Sequence, residues 1–82
     1  MVMPIGAYLA VAREEAGLSQ AQLAEKVRLR TTILMAIEQD DYSMCGGDVY
    51  ARGHLKALAT ALQLDPDAVL AIFDEEFASP PD

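Results

Sequence analysis

Residues 19–39, SQAQLAEKVRLRTTILMAIEQ, decide the fold, because they read as two short helices meeting at a tight corner. Ser19 is a good N-cap, and Gln22 three residues on completes a capping box that satisfies orphan amides at a helix start. A helix is therefore expected from Gln20, with Leu23, Ala24 and Val27 at helical spacing on one face. Thr31 and Thr32 open a second run whose apolar positions Ile33, Leu34 and Ile37 again follow a period near 3.6. About four residues separate the two runs, the spacing of a helix-turn-helix with its helices at roughly 90 to 120°.

Working outward, helix 1 is expected from about Pro4 to Ala16. Pro suits a first turn, and Ile5, Tyr8, Leu9 and Ala12 form an inner stripe. Glu14 and Glu15 face outward, Gly17 stands where an αL cap belongs, and Leu18 returns the chain to the core. Met1 to Met3 are expected to fray. Beyond the corner, DDYSMCGGD from Asp40 to Asp48 breaks the periodicity and is the longest predicted loop. Asp48 can cap a fourth helix whose apolar positions Val49, Leu55, Leu58, Ala59 and Leu62 carry it to about Leu62. Gly53 inside it implies close approach by a neighbouring helix. Asp65-Pro66 marks a fifth helix, with Ala68, Val69, Leu70, Ile72 and Phe73 as its apolar positions. Pro80-Pro81 cannot continue a helix, so residues 78–82 read as an extended tail or the start of a linker, after one domain at residues 1–77.

Eighty-two residues make a single domain that buries about 60 to 65% of its unfolded surface, enough to fold alone with a modest margin. Net charge −7 repels a phosphate backbone over most of the surface, so nucleic acid is not the default partner. The single Cys45 has no partner for an internal disulfide, which fits a reducing compartment. No run approaches the roughly 20 apolar residues that span a bilayer, and direct membrane contact by this segment is not expected.

The residues offer little for catalysis or for metal and cofactor binding. Cys45 and His54 lie nine apart across a Gly-Gly loop, with no metal-ligand spacing and no glycine-rich phosphate loop. Cys45 reads as a loop thiol, His54 as a surface residue, and Asp74-Glu75-Glu76 as a solvated helix end. DNA binding is the alternative that the corner invites. Base readout needs Arg, Lys, Asn, Gln or small hydroxyls near the start of the recognition helix. Thr31 and Thr32 supply hydroxyls, but Met35 and Ala36 carry no hydrogen bond to a base. Lys26, Arg28 and Arg30 form a basic cluster able to hold phosphates, and Gln20 completes the DNA-contact set of this alternative.

AREEAGLSQAQLAEKVRLRTTILMAIEQDDYS followed by VYARGHLKALATALQLDPDAVL resembles the N-terminal cytoplasmic domain of the RodZ family of bacterial cell-shape proteins. The first half is common to phage-repressor-like domains; Tyr50-Ala51-Arg52-Gly53 and Leu64-Asp65-Pro66 are more characteristic. The resemblance implies an all-α, five-helix, repressor-like helix-turn-helix domain. It further implies the cytoplasmic head of a single-pass inner-membrane protein, tethered by a downstream transmembrane helix and bound to the actin-like filament protein MreB. The family's aromatic contacts on helix 4 fall on Tyr50 and His54; an imidazole replaces the usual larger aromatic, Leu58 stands where another aromatic is often found, and Cys45-Gly46-Gly47 departs from a proline-bearing loop.

Two further expectations concern side chains. Tyr50 and Arg52 are residue types enriched at protein–protein hot spots, and with His54 they form the candidate partner site; Arg52 also has Asp48 within reach at i−4. In repressor-like domains a helix 1 Arg and a helix 3 Glu form a partly buried bidentate pair, which here implies Arg13 and Glu38 with N···O distances below about 3.2 Å.

Overall fold

The computed structural model describes residues 4–77, in which five α-helices and one 3₁₀ turn follow each other: α1 (Ile5–Glu15), α2 (Gln20–Lys26), α3 (Thr31–Glu38), the turn Ser43–Cys45, α4 (Asp48–Ala61) and α5 (Pro66–Phe77). The expected all-α, five-helix architecture is the one found. The expectations for Met1 to Met3 and for the tail at 78–82 lie outside the described residues.

The core is built from one stripe of each helix. Ile5 and Leu9 of α1, Leu23 and Ala24 of α2, Leu34 and Ile37 of α3, Ala51, Leu55, Leu58, Ala59 and Leu62 along α4, and Val69 and Phe73 of α5 are all buried. α4 and α5 pack side by side, while α1 and α2 both lean on α3. Burying such apolar side chains is the main favourable term in folding.

Helix starts follow local side-chain chemistry. Ser19 Oγ accepts from the amide of Gln22 at 3.1 Å and Gln22 Oε1 accepts from the amide of Ser19 at 2.8 Å, so both arms of the capping box are made. Asp65 Oδ1 accepts from the amide of Asp67 at 3.0 Å at the head of α5. Ser19→Ala removes one arm and is expected to destabilise the fold by about 1 kcal/mol, read as a lower midpoint in urea with an unchanged slope.

Helix ends share one device. After α1, α2, α3 and α4 the chain enters a left-handed residue, Gly17, Arg28, Asp40 and Gln63, with φ between 57 and 76°. At each end the next amide reaches back to the helix: Leu18 to Arg13, Leu29 to Ala24, Asp41 to Ala36 and Leu64 to Ala59, at 2.8 to 3.1 Å. These are Schellman closures, and the leucines that follow three of them pack against the core.

Four sequence expectations need correction. Asp48 does not cap α4: it is the first helical residue, and Gly47 holds the cap position at φ 131°, a conformation only glycine adopts at ease. Val49 is not a core residue but 80% exposed. The buried stripe starts at Ala51, about 200° around the helix from Val49 at 3.6 residues per turn. Gly53 meets no neighbouring helix among the described residues, since none of their atoms lies within 4 Å of where its Cβ would stand. Ala68 of α5 is exposed as well.

The loop between α3 and α4 carries its own structure. Asp41 Oδ1 accepts from both the amide and the hydroxyl of Ser43, at 3.0 and 2.6 Å, which holds the Asp41 carboxyl below its ordinary pKa. Tyr42 then meets Phe73 edge to face at 5.2 Å, and Cys45 turns inward. The loop is thereby stitched to α5.

Candidate functional site

Among the described residues, the first turn of α4 carries the two most exposed large apolar side chains. Tyr50 is 63% exposed beside Val49, and Met44 of the preceding turn is 52% exposed. The Gly46-Gly47 pair, both at positive φ, brings the chain round so that Met44 and α4 share this end of the domain. The Tyr50 ring edge lies 3.6 Å from where a Cβ on Gly46 would be, ordinary van der Waals contact, so it is the left-handed φ of 87° and not space that favours glycine there. Tyr50 is a surface residue and not an aromatic closing over α1. His54, one turn on, is half-buried.

The guanidinium of Arg52 bonds to Asp74 of α5, which packs along that flank of α4. Both side chains remain about half exposed, so this pair contributes little to stability but fixes the direction of Arg52. Asp74 is therefore partnered, where the sequence suggested a purely solvated helix end.

The α1–α3 pair is the most buried polar feature. Arg13 Nε donates to Glu38 Oε2 at 2.8 Å and Nη2 donates to Oε1 at 3.2 Å, the two-pronged geometry of a guanidinium on a carboxylate. The side chains are only 12% and 4% exposed. The bond to Glu38 raises Arg13 above its ordinary pKa, outweighing the desolvation that opposes it. Arg13 Nη1 also donates to the carbonyl of Leu18 at 2.9 Å, and Gln20 Nε2 donates to Glu38 Oε1 at 2.8 Å. Four residues thus tie α1, the following turn, α2 and α3 together.

That network bears on the DNA alternative. Gln20, half-buried, has its amide nitrogen committed to Glu38. Arg28 and Arg30 lie exposed in the turn, and Thr32 is exposed at the head of α3 with Thr31 half-buried. The exposed α3 side chain between them and the helix end is Met35, which offers apolar area and no base-edge hydrogen bond.

Lys26 and Lys56 were not singled out as a pair by sequence, yet they line one shallow groove of about 580 Å³ between the end of α2 and the outer face of α4, with Val27, Gly53, Ala57, Thr60 and Ala61. The signal that could have found them is the run of small residues at 53, 57 and 61, four apart on one helix face. Cys45, expected as a loop thiol, is buried; burial and then the nearby Asp41 charge push its pKa up, so it stays protonated and a poor nucleophile. Among the described residues no group of three or more His, Cys, Asp and Glu could hold a metal ion, and no helix is long and apolar enough to cross a membrane.

A helix-turn-helix domain family matches residues 8–69. Over 70 residues, 85% of this chain, the sequence is 37% identical to a protein of Streptococcus pneumoniae named Cytoskeleton protein RodZ, and the match spans 25% of that protein's length. The chain thus spans about a quarter of the relative it matches. No solved structure matches it. With five helices in this order, the buried Arg13–Glu38 tie and these two likenesses, the chain belongs to the helix-turn-helix domain family as a RodZ-like member.

Proposed function

We propose that the chain is a non-enzymatic binding module of a bacterial cell-shape protein and that it docks on the actin-like filament protein MreB through the first half of α4. The observation that carries this reading is the exposure of Tyr50, Val49 and Met44, three large apolar side chains near the start of α4 left in water on a small acidic domain. An aromatic anchor with an apolar surround is the usual centre of a protein–protein interface. Arg52, oriented by Asp74, and His54 flank it and supply polar contacts. In this reading the module is the cytoplasmic head of a single-pass inner-membrane protein.

The test is co-sedimentation of the chain with MreB filaments. Tyr50→Ala is expected to weaken binding by more than about 1 kcal/mol while helical content and melting temperature stay put, because the ring is not part of the core. Loss of stability with unchanged intrinsic affinity would sink the reading. The second reading is a DNA-binding regulator using α3, favoured by the exposed Arg28 and Arg30 beside Lys26. Duplex binding with a steep salt dependence and no filament binding would promote it.

A further inference from the structure

We draw no further inference here: the strongest candidate, the shallow groove between the end of α2 and the outer face of α4 that Lys26, Lys56 and the small residues Gly53, Ala57 and Ala61 line, carries nothing because nothing in the structure shows what covers it.

Discussion

Replacing Arg13 by alanine is expected to cost about 3 to 5 kcal/mol, because it strands a buried carboxylate. Glu38, 4% exposed in its side chain, receives two bonds from Arg13 and would keep only the one from Gln20. The carbonyl of Leu18 would lose its guanidinium donor as well. A domain of this size has a total stability of about 4 to 12 kcal/mol at typical values per residue, so the variant sits near the edge of folding. Removing both charges together, as Arg13→Met with Glu38→Leu, should cost less than the sum of the single changes, since no charge is left without a partner. Urea denaturation followed by circular dichroism measures all three. Single-variant losses under about 1 kcal/mol would mean the pair behaves as a surface ion pair. The pH dependence has a definite sign. Arg13 is raised above its ordinary value in the folded state, so what it contributes is fully present below the unfolded guanidinium pKa and is lost only as pH rises through the folded one, in strong alkali. Its contribution should be flat from pH 5 to 9.

What the sequence makes legible here is what is local. Ser19 with Gln22 and Asp65 with Pro66 announce helix starts because the bonds they make close within two or three residues. Helix ends are harder. Gly17 announces its left-handed turn, but Arg28, Asp40 and Gln63 adopt the same conformation with a side chain that gives no warning, and only the leucine after two of them hints at a closure. Val49 misleads for a related reason: periodicity fixes a helix face only once its phase is known, and Ala51, too small to stand out as apolar, sets the phase of α4. Contacts between elements are least legible. Arg52 pairs with Asp74, twenty-two residues on, since α5 lies against that flank. Gln20 looks available for a phosphate until α3 brings Glu38 beside it. The candidate surface was legible at Tyr50, where residue type alone suggested an anchor; the groove beside it was not, because Lys26 and Lys56 meet only when α2 and α4 pack.

Gly6→Ala is expected to be as damaging as losing Arg13, although it adds one methyl group to a helix. An alanine Cβ at this position would lie 2.5 Å from the carbonyl oxygen of Glu38 and 2.7 Å from that of Ile37, and both are backbone atoms that no side-chain rotation can move. The first turn of α1 would have to lift from the last turn of α3. That movement would also stretch the bond from the Gly6 amide to Asp40 Oδ1, 2.8 Å long, by which a residue just past α3 satisfies an otherwise orphaned amide of α1. The N-cap position of α1 is Pro4, with no side chain to do so, and the Asp40 carboxylate further suits the positive end of a helix dipole. Overpacking against backbone, with this bond weakened and the Arg13–Glu38 tie pulled by the same displacement, should cost about 3 kcal/mol and exceed the propensity gained on replacing glycine. In a domain of this length that lowers Tm by roughly 15 °C. Gly53→Ala supplies the control, since the same exchange at a site with open space should raise Tm. If both glycine variants melted above the unmodified chain, α1 would not rest on the carbonyls of α3, and the close contact that holds the Arg13–Glu38 network in register would have to be abandoned.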